Sequence, residues 1–131
     1  MIYLLDTDTL IHWMTGNREI SKRILSMGLH NIASSDISKA ERYYGAYRSK
    51  RVSENLHAIR NLSEKINFIP FNDPAQAIFG KIKSDMEKSG QGINDFDIMI
   101  ASTALAYNLT LITTNTVFME KIPALKITSF I

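Results

Sequence analysis

The stretch IYLLDTD, from Ile2 to Asp8, passes from four apolar residues directly into a carboxylate. A short, uninterrupted apolar run is typical of a parallel strand that is buried on both faces. Asp6 and Asp8 then offer side chains that can cap a helix, with Asp8 the favoured cap, and an apolar segment continues to Met14. The stretch therefore predicts a buried strand, an acid at its end and a helix, which together begin an α/β fold.

Strand-like and helix-like segments alternate along the rest of the chain. Further strands are predicted at residues 31–34, 67–71, 109–113 and 125–129. Further helices are predicted at residues 19–27, 38–48, 53–65, 74–90 and 96–107, with Asp73 as the cap of the helix that begins at Pro74. The alternation predicts a three-layer α/β/α domain over residues 1–131, with a central, mainly parallel sheet.

Length and composition exclude several classes of protein. A chain of 131 residues with 45% hydrophobic and 21% charged residues is ordinary for one soluble domain. No apolar run approaches the roughly 20 residues that span a bilayer, and no signal peptide is recognisable. The absence of cysteine excludes disulfides, zinc thiolate sites and cysteine nucleophiles, and it fits the cytoplasm, where we expect the protein to work.

Positive charge is concentrated in the middle of the chain. The net charge is only +2, but residues 39–60 contain six basic and two acidic side chains. Tyr43, Tyr44 and Tyr47 are interleaved with them. Such a segment is either a solvated helix face with tyrosines packed underneath, or a surface that holds phosphates and stacks on unpaired bases. On the second interpretation, Arg48, Lys50 and Arg51 are the predicted RNA contacts.

Four acids lie at the ends of segments that should be buried, namely Asp6, Glu41, Asp95 and Asp97. Buried carboxylates are costly unless they are paired, hydrogen-bonded or bound to a metal. Ligands of α/β folds bind beyond the carboxyl ends of the strands, where Asp6 is expected. Each acid could instead cap a helix or lie exposed on one, and we expect Asp95 or Asp97 to cap the helix near Phe96. Spacing alone leaves these alternatives open.

Four segments together resemble the motifs of PIN-domain ribonucleases. The segment YLLDTD (residues 3–8) resembles the first motif, and SKAERYYGA (residues 38–46) resembles the second, a Glu followed four residues later by Gly. The segment GQGINDFDIMIA (residues 90–101) resembles the third motif, and LITTN (residues 111–115) resembles the strand that leads into the fourth motif. Their order and spacing and the chain length are similar to those of VapC-type toxins of type II toxin–antitoxin pairs.

The resemblance implies a metal-dependent endoribonuclease. It assigns Asp6, Glu41 and Asp97 as catalytic, metal-binding acids for Mg²⁺ or Mn²⁺, with Asp6 and Asp97 as direct ligands. Glu41 would ligate a second ion or orient water, and Asp95 would be a supporting neighbour. Metal-activated water would cut the RNA phosphodiester bond and leave a 5′-phosphate and a 3′-hydroxyl. No histidine is needed, and we interpret His12, His30 and His57 as structural or surface residues.

Two positions depart from the family pattern. Asp8 stands where the family commonly has Asn, and no acid follows Thr114, so Asn115 is the best candidate for the slot of the fourth acid. The number of metal ions therefore stays open. The resemblance also implies a VapB-type antitoxin, held by the first two helices and by the helices within residues 38–62. It further implies a homodimer and an RNA substrate, with tRNA among the candidates.

Two other functions compete with this one. DTDT (residues 6–9) superficially resembles the nucleophile motif of haloacid-dehalogenase-like phosphatases, but Leu10 stands where those enzymes have Thr or Val. A receiver domain would need an Asp after its third strand, and none lies between Asp36 and Asp73. A non-catalytic PIN-like module that binds RNA or a partner is the other alternative, and the missing fourth acid is its main support.

Overall fold

The computed structural model describes residues 1–92 and 94–130, so Ile93 of the third motif lies outside the described residues. The strands are β1 (Tyr3–Leu5), β2 (Ile32–Ser35), β3 (Asn67–Ile69), β4 (Thr110–Ile112) and β5 (Ile127–Thr128). The helices are α1 (Thr7–Met14), α2 (Arg18–Met27), α3 (Asp36–Arg48), α4 (Val52–Lys65), α5 (Asp73–Lys88), α6 (Asp95–Ala106) and α7 (Thr116–Met119). A 3-10 turn, Leu29–Asn31, precedes β2.

The sheet is parallel in all four of its strand pairings, in the order β3-β2-β1-β4-β5. The first strand of the chain is therefore the central one, with β2 and β4 on either side. Parallel neighbours bring their carboxyl ends to the same edge of the sheet. The segments that follow β1, β2 and β4 consequently meet at that edge, as the predicted fold required.

Successive residues of β1 face two separate hydrophobic cores. Leu4 packs into the core that α5 and α6 cover, and Leu5 packs into the core on the opposite face, which includes residues of α1, α2 and α4. This alternation is the period-two pattern of a strand, and the two cores confirm the predicted three layers. Six consecutive or nearly consecutive residues of α6 are buried, which confirms that this helix is central.

Helices α1 and α6 begin differently from the prediction. Asp6 caps α1, because its backbone is extended and its Oδ1 accepts from the Thr9 amide at 2.8 Å; the prediction that Asp8 caps this helix is wrong. Asn94 caps α6 and accepts from the Phe96 amide at 2.8 Å. The expectation that Asp95 or Asp97 caps α6 is therefore also wrong, since both lie within its first turn.

Smaller differences occur at the edges of the fold. Asn72 rather than Asp73 caps α5, because its side chain reaches the Ala75 amide at 3.1 Å. The last strand covers only two residues, and the short helix α7 was not predicted. None of the helices in residues 1–92 and 94–130 has the length and apolar character needed to cross a membrane.

Candidate functional site

Asp6 occupies the centre of the strand-end edge and is held by backbone amides from both sides. It follows β1, its side chain is buried, and its Oδ1 bond to Thr9 caps α1. Its Oδ2 accepts from the amide of Thr114, which follows β4, at 3.3 Å. Asp6 is therefore both a structural cap and a fixed acidic group that faces the site.

Glu41 lies on α3 and is oriented by α1. Thr7 Oγ1 donates to Glu41 Oε1 at 2.7 Å, and a second hydrogen bond of 2.9 Å joins the Thr7 and Ser38 hydroxyls. Ser38 is fully buried, and its amide donates to Ser35 Oγ at 3.0 Å. A chain of hydroxyls thus fixes the distance between the first turn of α1 and the acid on α3.

Asp97 lies in the first turn of α6 and is half-buried. Burial raises the pKa of its carboxyl above the ordinary value. Negative charges add to this rise of the pKa, and they come from Glu41, Asp6 and Asp8 in that order. The structure therefore brings Asp6, Glu41 and Asp97 within electrostatic reach of one another, and it adds Asp8 to the group.

No positive side chain neutralises these acids. Within residues 1–92 and 94–130, no Lys, Arg or His forms an ion pair with the acids of the group, which are Asp6, Asp8, Glu41 and Asp97. Arg42, next to Glu41 in sequence, instead turns inward, and its buried Nε has no hydrogen-bond partner among the described residues. Burial lowers the pKa of the Arg42 guanidinium.

The acids do not form a finished metal cage. Among the described residues, no group of three or more His, Asp or Glu side chains is arranged to hold a metal ion as it stands. Asp6 and Glu41 instead accept hydrogen bonds from Thr9, Thr114 and Thr7. Each carboxylate oxygen has two lone pairs, so these hydrogen bonds leave room for a ligand on the same oxygens.

The remaining predicted residues lie around this group. Asp95 is exposed and pairs with Lys83 on α5 at 3.0 Å, which is consistent with a supporting position. Asn115 follows β4, and its amide donates to Thr113 Oγ1 at 3.0 Å, while its exposed side chain caps no helix. His12, His30 and His57 are all exposed, as the sequence predicted for surface residues.

Sequence reasoning missed the groups that orient the acids. Thr7 is part of the first motif, but its contact with Glu41 joins residues 34 apart and depends on how α1 packs on α3. The contact between Asp6 and Thr114 spans 108 residues. A hydroxyl directly after the strand-end acid was the available signal for Thr7, whereas the backbone amide of Thr114 leaves no signal in a sequence.

Comparison with known proteins gives consistent relatives over the whole chain. The PIN domain family model matches residues 3–123. Ribonuclease VapC1 from Haemophilus influenzae (strain R2866) is 33% identical over 128 residues, which are 96% of each chain. A tRNA(fMet)-specific endonuclease VapC from Salmonella typhimurium (strain LT2) is 25% identical over 125 residues, which are 95% of each chain.

Solved structures give the same result. VapBC2 from Rickettsia felis, bound to a DNA fragment from their promoter, superposes with a TM-score of 0.90 at 28% identity and covers 98% of both chains. The relatives that match nearly the full length of the chain are ribonucleases, which favours that class over the phosphatase and receiver alternatives. On the family model and the relative at 33% identity, this chain belongs to the PIN domain family, among the VapC ribonucleases.

Proposed function

We propose that this protein is a metal-dependent endoribonuclease and the toxin of a toxin–antitoxin pair. Membership of the VapC ribonucleases supports an RNA-cleaving hydrolase. The single observation that carries the metal dependence is the environment of Asp97, a half-buried carboxyl whose pKa is raised by burial and by three other acids. Several carboxylates that lie close together, with no basic side chain among the described residues paired to them, form a site suited to bind a metal cation.

The chemistry of the donors fits a hard divalent cation. Asp6, Glu41 and Asp97 offer only oxygen atoms, which are the ligands that Mg²⁺ and Mn²⁺ prefer. Like charges repel at close range. This explains why the described carboxylates lie near one another but are not arranged as a complete set of metal ligands. Such a cation would activate water and neutralise charge on the phosphate. We assign Asp6 and Asp97 as its direct ligands.

The protein's own groups would position the reactants. Glu41, fixed by Thr7, would orient the attacking water or hold a second ion. Water would add its oxygen to phosphorus as the bond to the 3′ oxygen breaks, and a proton would pass to that oxygen. The products would be a 5′-phosphate and a 3′-hydroxyl. The exposed amide of Asn115, at the same edge of the sheet, would contribute hydrogen bonds in place of a fourth acid.

The nuclease is tested with purified protein and structured RNA, tRNA included, in magnesium or manganese and then in chelator. We expect wild-type protein to cut only with metal, and Asp6→Asn and Asp97→Asn to cut at least about 100-fold more slowly, since they weaken metal binding. Asn is as good a helix cap as Asp, so Asp6→Asn should keep the α1 cap. It loses the bond from the Thr114 amide, because its amide nitrogen cannot accept one, so a melting curve should check that the variant is folded.

Asp95→Asn is the matched control, because Asp95 lies two residues from Asp97 but is exposed and paired with Lys83. It should cut RNA at the wild-type rate. Equal cutting by wild type, Asp6→Asn and Asp97→Asn would identify a contaminating nuclease and contradict the assignment. Binding of RNA without any metal-dependent cutting would favour the non-catalytic PIN-like module instead.

We also propose a VapB-type antitoxin as the partner. The support is that the solved relative from Rickettsia felis is a VapBC2 complex. Helices α1 and α4 form a groove of about 250 Å³ between them. It is lined by Trp13, Met14, Ala58, Asn61, Leu62 and Lys65. An antitoxin segment with an apolar anchor would fit this groove, within the helices that the sequence assigned to it.

A homodimer in the cytoplasm completes the proposal. The chain has no cysteine, which suits a reducing compartment. A second, more apolar groove of about 830 Å³ lies between α5 and the segment after α7. Ile78, Ile82, Met86, Leu105 and Pro123 are among its lining residues. Exposed apolar surfaces of this kind often mark contacts between proteins, and we assign this one to a second copy of the chain.

A further inference from the structure

We propose that Tyr44 is a stacking platform for an unpaired RNA base beside the cleaved bond, and that Arg48 holds a phosphate further along the same strand. The proposal rests on the proposed ribonuclease function and deepens it, because it gives the RNA a path away from the site. Tyr44 and Arg48 lie on α3, the helix that carries Glu41.

Helix geometry places these side chains in one stripe. Successive residues of an α-helix are rotated by about 100° and displaced by about 1.5 Å. Tyr44 is therefore about 60° from Glu41 around the helix and about 4.5 Å further along it. Arg48 is rotated only about 20° from Glu41 and lies about 10.5 Å further along. The buried residues Ser38 and Ala46 lie on a different side of α3.

Tyr44 is exposed in a position where packing does not require an aromatic ring. Its side chain is 69% exposed, so it is not packed underneath the helix as the first interpretation of the basic segment required. Within the described residues its hydroxyl forms no hydrogen bond. Single exposed aromatic residues are common on proteins, but this ring lies one helical turn from a proposed catalytic acid.

Gly45 leaves the helix surface open on the side of Glu41 opposite to Tyr44, about 40° from Glu41 and about 100° from Tyr44. Its backbone does not have the positive φ that would require glycine. A methyl group at this position would lie 3.4 Å from the Arg42 guanidinium and would meet no other side chain closely. Glycine weakens a helix interior, so its presence here is best explained by the bare surface that it provides. A nucleotide at the proposed site therefore has room next to Glu41.

Basic side chains lie further along the same side of α3 and in the turn that follows it. Arg48 and Lys50 are exposed, and neither forms an ion pair within the described residues. Arg51 is less available, since it pairs with Glu54 at 3.4 Å. Aromatic rings for stacking and basic groups for phosphates are the combination that binds single-stranded nucleic acid. The charge favours RNA over a protein segment as the occupant.

Tyr47 provides a matched control on the same helix. It is 65% exposed, nearly as much as Tyr44. It is rotated about 120° from Glu41, outside the stripe. Tyr47→Leu should therefore leave RNA binding unchanged, while Tyr44→Leu should weaken it and Tyr44→Phe, which keeps the ring, should not.

The test measures binding of a fluorescent single-stranded RNA of mixed sequence by anisotropy, in chelator so that nothing is cut. We expect Tyr44→Leu to raise the Kd by roughly 5- to 100-fold, the range for removal of one stacked base. Abasic substitution at one position of the RNA should weaken wild-type binding but not Tyr44→Leu binding further. Such non-additivity would identify the base that contacts Tyr44.

Several outcomes would overturn the proposal. The proposal fails if Tyr44→Leu binds RNA as tightly as the wild type. It also fails if Tyr44→Leu and Tyr47→Leu lose the same amount of RNA affinity. Weakened binding of the co-expressed antitoxin with unchanged RNA binding would assign Tyr44 to the protein partner instead. Binding in chelator is independent of cutting, so RNA that is bound but never cut would contradict the nuclease alone. Failure of the wild-type protein to bind RNA in chelator would overturn the stacking proposal, whereas the nuclease is judged by cutting in metal.

Discussion

Asp97 shows at the residue scale how function conflicts with stability. Its carboxyl is half-buried among other acids, which raises its pKa in the folded protein. A raised pKa means that ionisation of Asp97 is harder in the folded than in the unfolded chain. At neutral pH and without metal, the ionised Asp97 therefore lowers the free energy of unfolding.

We predict that Asp97→Asn melts at a higher temperature than wild type at pH 7 in chelator. The stability that a protonated Asp97 provides is fully present below its unfolded pKa, and it is lost as the pH rises through its folded pKa. The advantage of the variant should therefore shrink as the pH falls through this interval and vanish below it. Melting temperatures measured across that pH range test the prediction.

Magnesium supplies a second check on the same residue. A ligand that binds only the folded state raises the melting temperature, so magnesium should raise that of the wild type more than that of Asp97→Asn. Asp95→Asn, which removes only an exposed ion pair, should respond to magnesium as the wild type does. A variant that is no more stable than wild type at pH 7 would contradict the account of Asp97.

Thr7 gives a second prediction at this scale. Thr7→Val keeps the shape of the side chain but removes the hydroxyl that donates to Glu41. We expect RNA cutting to fall about 10- to 100-fold, as it does when groups that orient catalytic ligands are removed, with unchanged RNA affinity. Thr7→Ser restores the hydroxyl and should restore activity. Full activity in Thr7→Val would show that Glu41 does not need this hydrogen bond.

The family resemblance selected Asp6, Glu41 and Asp97, and the structure adds Asp8, which the sequence predicted only as a cap. Neither the patterns nor the resemblance predicted the groups that hold these acids. Asp6 follows an apolar strand and Asp97 precedes an apolar helix, so their placement follows from local patterns. The cap of α1 could not be assigned between Asp6 and Asp8, because both residue types suit the position and backbone geometry decides. For the same reason, the sequence could not show that Asn94, rather than Asp95 or Asp97, caps α6.

At the scale of elements, α3 joins the proposed catalytic site to a basic surface. The helix begins beside β2, carries Glu41 in its middle and ends at Arg48. The turn that follows adds Lys50 and Arg51. The sequence predicted this helix well because its boundaries follow local signals. The short elements α7 and β5 were harder to predict, since segments of two to four residues give no measurable periodicity and depend on tertiary packing.

The basic surface predicts a change in the salt dependence of RNA binding. Replacing Arg48, Lys50 and Arg51 with Gln should flatten the plot of log affinity against log salt, by about 0.7 for each phosphate that is no longer neutralised. Arg48 and Lys50 should account for most of the change, because Arg51 already pairs with Glu54. A control that removes the same amount of charge replaces Lys22, Lys88 and Lys126, which are exposed and line neither groove. An equal slope in both triple variants would contradict the prediction.

At the scale of the whole molecule, the surfaces proposed for RNA and for partners lie on different parts of the fold. The groove between α1 and α4 lies on the helical layer opposite the apolar groove of α5. An antitoxin and a second copy of the chain could therefore bind at the same time. The sequence predicted the three layers, but grooves depend on side-chain packing between distant helices and gave no signal.

We predict a stable complex with a small, co-expressed antitoxin, which blocks RNA cutting. Light scattering of the purified complex and of the free chain measures both masses. The free chain should have the mass of two copies, and Ala77→Glu, at an exposed position in the α5 groove, should shift it to one copy without loss of fold. A free chain that is monomeric at all concentrations would contradict the dimer, and failure of any antitoxin to bind or inhibit would contradict the pairing.

The hydrogen bond between Asp6 and the Thr114 amide also limits how early this edge of the sheet can form during synthesis. β1 is made first, yet it lies between β2 and β4, and its acid is held in part by a residue 108 positions later. At about 5–20 residues per second, a ribosome needs on the order of 5–20 s to make that interval. A growing chain consequently cannot complete this edge of the sheet until Thr114 has emerged from the ribosome.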